Sequence, residues 1–157
     1  MGKNAEEKKV DNKEGTTHEN IIDVIESGRK VSKDLIDNAI ESLSKERKEK
    51  LTKELKIEIV RGEFTRNHSL LKLRKHRATE KPVLKVLKDQ SELFGKLKNG
   101  EITIEEYKED LKKINREYYS ECNEIDRRYA NLFNAINMEA ENVLGWYGVQ
   151  DAKIIKD

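Results

Sequence analysis

The chain is predicted to be all-α: an elongated helical bundle built around an antiparallel helical hairpin that turns at Gly100, with one very long C-terminal helix. Three observations predict it. Leu93 to Tyr107 spell a helix that stops, turns and restarts. From Ile104 to Ile136, large apolar residues recur at intervals of three and four with no breaker between them, the period of a helix buried along one stripe. Charged residues make up 40% of the 157 and hydrophobic residues 35%, with a single proline, a balance that suits long exposed helices better than a thick core.

At the turn, Gly100 stands where a helix C-terminus needs a residue tolerant of positive φ, and Lys96 and Lys98 suit the negative end of the helix dipole. Thr103 and Glu106 then form a T-x-x-E capping box, with Ile102 and Tyr107 placed to close over it as a hydrophobic staple. So short a connection predicts that the two helices fold back on each other.

Residues 1–15 carry little apolar surface beyond Val10 and form a polar leader, expected to be disordered unless held by a partner. Thr16-Thr17-His18-Glu19 offers a capping box for a short helix bearing Ile21, Ile22, Val24 and Ile25, stopped by Gly28. Ser32 caps a second helix with Leu35, Ile36, Ala39, Ile40 and Leu43. After the polar run 44–50 the apolar spacing resumes through Leu55, Ile59 and Val60 to Gly62, so residues 32–61 are expected as one helix. The stretch from Phe64 to Pro82 reads as a connector, in which Asn67 caps a short helix and Pro82 opens the next.

The expected organisation is a leader (1–15), N-terminal helices with a basic connector (16–81), the long hairpin (82–144) and a tail (145–157). The first hairpin helix carries Val83, Val86, Leu87, Gln90, Phe94 and Leu97 on one stripe. The second carries Ile104, Tyr107, Leu111, Ile114, Tyr118, Cys122, Ile125, Tyr129, Leu132 and Ile136, with a stutter around Tyr118 and Cys122 that locally unwinds the seam. The helices do not match in length: about 60 Å against about 27 Å. The far end of the longer one therefore needs cover, and Ile125, Tyr129, Leu132 and Ile136 are expected to meet another subunit or partner. Trp146 and Tyr147, flanked by Gly145 and Gly148, form a second candidate anchor.

Net charge is +1, so an acidic macromolecule has to be met by a local cluster. One exists between Arg61 and Lys81, seven bases against two acids, and Arg66, Lys72, Arg74, Lys75 and Arg77 are its candidates for phosphate contact. Aromatic stacking partners are missing there apart from Phe64.

Other chemistry finds no foothold. Gly100, Ile102 and Glu106 imitate the second half of an EF-hand loop, but Gly95 and Leu97 then fall where calcium needs oxygen ligands. His18, His68 and His76 lack the spacing of a zinc pair and read as surface residues; Cys122 is the single cysteine and forms no intrachain disulfide. Phosphate-cradling glycine loops and nucleophile elbows are absent, so no catalytic, cofactor or metal site is expected. The pattern G-E-I-T-x-E-E-Y at Gly100 to Tyr107 resembles the short helical hairpins found at the ends of many bacterial and phage proteins, over some thirty residues, and that resemblance implies no activity. With neither a membrane-spanning run nor a signal-peptide core, a cytoplasmic or virion location is expected. The sequence thus points to a non-enzymatic structural or interaction protein, an extended helical component of a larger assembly such as a phage virion, with protein partners as a homo-oligomer or multi-protein assembly. The alternative is a nucleic-acid-associated protein that uses residues 61–81.

Overall fold

A computed structural model describes residues 19–47 and 52–150. The leader 1–15, the expected cap at Thr16, residues 48–51 and the tail beyond Gln150 lie outside the described residues. Those described form four helices and no strand: α1 (Ile21–Glu26), α2 (Lys33–Arg47), α3 (Lys53–Lys98) and α4 (Ile104–Gly145). The two long ones, α3 and α4, pack together. None is long and apolar enough to cross a membrane.

Three of the helix ends are written in glycine. Gly28, Gly100 and Gly148 take φ of 78°, 74° and 82°. At each, the following residue's N–H reaches back five positions and the glycine's own N–H three: Arg29 to Val24 and Gly28 to Ile25, Glu101 to Lys96 and Gly100 to Leu97, Val149 to Leu144 and Gly148 to Gly145. This is the Schellman arrangement, which satisfies carbonyls that a helix end leaves open. The restart at Thr103 also follows the sequence: the Thr103 N–H donates to Glu106 Oε1 at 2.9 Å, and the Glu106 N–H donates to Thr103 Oγ1 at 3.1 Å.

The N-terminal half departs from expectation. α1 is capped by Asn20, and the Asn20 N–H donates to Asp23 Oδ2 at 3.2 Å. Glu19 precedes the helix and pairs with Arg29. The helix expected over 32–61 is two, because Thr52 caps a new start: its hydroxyl accepts the Leu55 N–H at 3.1 Å. The connector expected between Phe64 and Pro82 does not exist, since α3 runs through Gly62 and Pro82 alike. Each costs helix stability, about 1 kcal/mol for the glycine and about 3 for the proline, which loses one backbone hydrogen bond. Burial of Val60, Phe64, Leu71, Pro82 and Val86 along one face of α3 outweighs those local preferences.

The chain divides into two compact units. Unit 1 takes residues up to His68 and from Ala135 onward; unit 2 is Ser69–Asn134. Unit 1 holds the denser core, in which Ile22, Ile36, Val60, Phe64, Ile136, Val143 and Leu144 are fully buried. Asn67 is buried with them and is a cap after all, though for a distant helix: its Oδ1 accepts the Ile22 N–H of α1 at 3.0 Å while its Nδ2 donates to the Glu63 carbonyl at 2.8 Å. The Val31 N–H, between α1 and α2, donates to Glu139 Oε2 of α4 at 2.8 Å. His68, read from sequence as a surface residue, is buried, because it falls on the inward face of α3 between Phe64 and Leu71.

Unit 2 consists of the remainder of α3 and α4. Leu71, Val86, Leu93 and Tyr129 are buried in it, Gln90 Nε2 donates to Asn115 Oδ1 at 2.9 Å, and Lys75 meets Asp126 at 3.4 Å. The stripe expected on the first hairpin helix is split. Val86 is buried, and Val83, Gln90 and Leu97 are half-buried, but Leu87 and Phe94 are exposed and Leu93 takes their place. Of the α4 stripe, Ile104 is exposed and the rest is buried or half-buried.

Candidate interaction surfaces

The single tryptophan lies on a groove in unit 1. Lys33, Asp37, Ile40 and Glu41, on one face of α2, line a space of about 550 Å³ together with Lys56, Trp146 and Tyr147. The glycine cap at Gly148 fixes the backbone of this turn, so both rings are held rather than left on a free tail. Tyr147 is half-buried and Trp146 is 45% exposed. Lys33 and Asp37 pair at 2.8 Å on the α2 wall, where the carboxylate raises the Lys33 pKa. Burial, and secondarily the Asp37 carboxylate, hold the Tyr147 phenol above the ordinary value of 10.0, against the opposing pull of Lys33. The groove therefore offers a flat aromatic surface beside charges of both signs. The α2 and Lys56 contributions were missed by sequence reading. The i, i+4, i+7 spacing of Lys33, Asp37 and Ile40 was visible, but nothing placed it against Trp146.

Of the other four interface candidates, Ile136 is fully buried in unit 1, Tyr129 is buried in unit 2, and Ile125 and Leu132 are half-buried in unit 2. Tyr129 and Ile136 are thus covered from within the chain, while Ile125 and Leu132 are covered only in part. The expectation of an outside partner for them rested on a short first hairpin helix, whereas α3 has 46 residues against 42 in α4.

The basic candidates do not converge. Arg66 donates to Asn20 Oδ1 at 3.2 Å and pairs with Glu63 at 3.4 Å in unit 1. In unit 2 Lys75 turns to Asp126, Lys72 and Arg77 are exposed, and Arg74 is half-buried. Lys72 and Arg77, five positions apart, leave the helix in different directions. Arg77 does share a face with Lys81 and Lys88, at steps of four and seven.

Unit 2 shows a different kind of surface. Two helices alone cannot enclose both sides of the seam between them, and Tyr107, Leu111, Ile114, Tyr118, Cys122 and Ile125 are all only half-buried. Leu73, Leu84, Leu87, Phe94, Ile104 and Tyr119 are exposed outright. Sequence periodicity marked most of these as apolar helix positions and gave no sign of which lacked a neighbour. Among the described residues no group of three or more His, Cys, Asp or Glu side chains is arranged to hold a metal ion.

No protein-family model matches the chain, and comparison with curated proteins and with solved structures returns no match.

Proposed function

We propose that this chain is a non-enzymatic structural or interaction protein, a helical component of a larger protein assembly. The observation that carries the reading is the seam of unit 2, where a two-helix layer leaves a continuous run of large apolar side chains half-covered. In this reading α3 and α4 run antiparallel about Gly100. The pairings Gln90 with Asn115 and Lys75 with Asp126 support that, because each step away from the turn along α3 is matched by a step along α4 in the opposite direction. Partner helices then complete the layer as they do in a bundle. Trp146 and Tyr147 supply a second, aromatic point of attachment, and a virion or a cytoplasmic complex is the proposed setting.

Native mass measured on the protein from its source, beside sedimentation of the purified chain, tests the proposal. A stable species well above 18.3 kDa is expected. The monomer mass in both preparations would refute it.

The second reading, a nucleic-acid-associated protein, draws on Arg77, Lys81 and Lys88 along one exposed face of α3. Its test is binding to DNA or RNA that falls steeply between about 50 and 200 mM salt and is lost when Arg77, Lys81 and Lys88 are replaced by glutamine. No binding at low salt removes it.

A further inference from the structure

Unit 2 holds a groove between its two helices with an unusual rim. Gln90, Ser91 and Phe94 of α3 face Tyr107, Leu111 and Asn115 of α4 across a space of about 370 Å³, spanned by the Gln90–Asn115 hydrogen bond. On α3, Ser91 and Phe94 belong to the stripe Leu87, Ser91, Phe94, Lys98, spaced at i, i+4, i+7 and i+11. On α4, Lys108, Lys112, Asn115 and Tyr119 repeat the same spacing. Leu87, Phe94 and Tyr119 are 55%, 49% and 64% exposed. The Lys98 ammonium lies over the Phe94 ring, 5.3 Å from its centre. Lys108 and Lys112 are exposed and make no ion pair among the described residues. Neither stripe contains a carboxylate. Phe94, Tyr107 and Leu111 thus form the apolar part of the groove, and the charged members of the two stripes beside it are all lysines.

We infer that this groove receives an amphipathic helix of a partner protein, one whose apolar stripe is flanked by Asp and Glu. A trough between two packed helices accepts a third by seating its apolar ridge, and the residues beside that ridge then fall against Lys98 on one wall and Lys108 and Lys112 on the other. Acidic flanks make those contacts attractive and steer the encounter; basic flanks oppose them. A second copy of this chain applying the same face is disfavoured, because it would set lysines against lysines. A flat bilayer surface fits less well than a helix, because the apolar floor is recessed between α3 and α4. The inference rests on the interaction-protein reading and adds to it the charge and the secondary structure of the partner.

The probe is a fluorescein-labelled synthetic helical peptide of three heptads with leucine at the core positions and glutamate at the flanking ones, and its twin carries lysine in place of glutamate. Anisotropy titrations use the full chain at physiological salt. Saturable binding of the glutamate peptide at least tenfold tighter than of the lysine peptide is expected. Lys98→Glu with Lys108→Glu and Lys112→Glu should reverse that preference, and Phe94→Ser with Tyr119→Ser should weaken the glutamate peptide at least tenfold. All five positions are exposed, so circular dichroism should be unchanged in both variants. Equal affinity for the two peptides, or no saturable binding, overturns the inference. So does self-association of the parent that Phe94→Ser abolishes, which assigns the face to a second copy. Binding of phosphatidylserine vesicles or of a DNA duplex that the triple glutamate variant abolishes, without peptide selectivity, also overturns it and assigns the lysines to phosphate. A large native mass together with failed peptide binding would sink this inference and leave the assembly reading standing.

Discussion

Asn67 holds α1 to α3 through one buried side chain. Its side chain is fully buried in unit 1, where it gives Ile22, the second residue of α1, an acceptor at 3.0 Å and takes one for itself from Glu63 at 2.8 Å. Ile22 is equally buried, so replacing Asn67 with alanine strands its N–H where water does not reach. A stranded buried donor costs about 1 to 3 kcal/mol, and the space left by the amide adds to that. A loss of about 2 kcal/mol is therefore expected. With a urea slope on the order of 2 kcal/mol per M, the midpoint should fall by about 1 M. Urea unfolding followed by circular dichroism measures the loss, and hydrogen exchange at the Ile22 amide locates it, since that proton should lose protection well beyond the global change. An Asn67→Ala protein with the parent's midpoint and an equally protected Ile22 amide would refute the assignment of Asn67 as the remote cap of α1.

Other expectations concern single positions. Gly100→Val should destabilise by more than about 1 kcal/mol through backbone strain alone, because φ is 74° and a Cβ there meets no atom within 4 Å. Gly62→Ala should do the opposite and raise stability by about 0.5 to 1 kcal/mol, seen as a higher urea midpoint, since Gly62 is helical and its Cβ would also enter open space. Ile136→Asp should unfold unit 1 rather than dissociate subunits, at a cost of about 3 kcal/mol or more for a charge without compensation in a fully buried site; loss of mass with helix content intact would contradict this. The Tyr147 phenol is raised above 10.0 by burial first and Asp37 second, so folding favours its neutral form. That contribution is complete below pH 10 and is lost as pH rises through the folded-state value. Tyr147→Phe should therefore lose less stability than the parent between pH 9 and 11 in urea midpoints.

What could be read in advance was whatever the chain writes locally. Gly28, Gly100, Ser32 and Thr103 act at the helix ends where their residue types put them, because a positive φ or a side-chain cap is decided within a few residues. The α4 stripe was legible for a related reason, as its period persists over many turns. Gly62 and Pro82 misled, since their local cost is real but smaller than the burial gained by α3 continuing through them. Asn67 was recognised as a capping residue and assigned to the wrong helix, 45 positions from its true partner Ile22. The Trp146 groove was half legible: the aromatics stand out, while their neighbours on α2 are brought by tertiary packing alone. The lysine-bordered trough could not be foreseen, because Leu87 and Phe94 look like core until Leu93 is seen to occupy that place.

Unit 1 is assembled from two separated stretches of chain, with all of unit 2 between them. On a ribosome this sets an order of events. Ser69–Asn134 emerges whole, so its two helices can pair without waiting for any later residue. Ile22, Ile36 and Phe64 emerge earlier but lack Ile136, Val143 and Leu144, the residues that close their core. At about 5 to 20 residues per second, the stretch between His68 and Ala135 keeps that half-core waiting for roughly 3 to 13 s. A nascent chain stalled before Ala135 should accordingly expose the Phe64 face to chaperones while its unit 2 is already helical, so the last part translated decides whether the first part is protected.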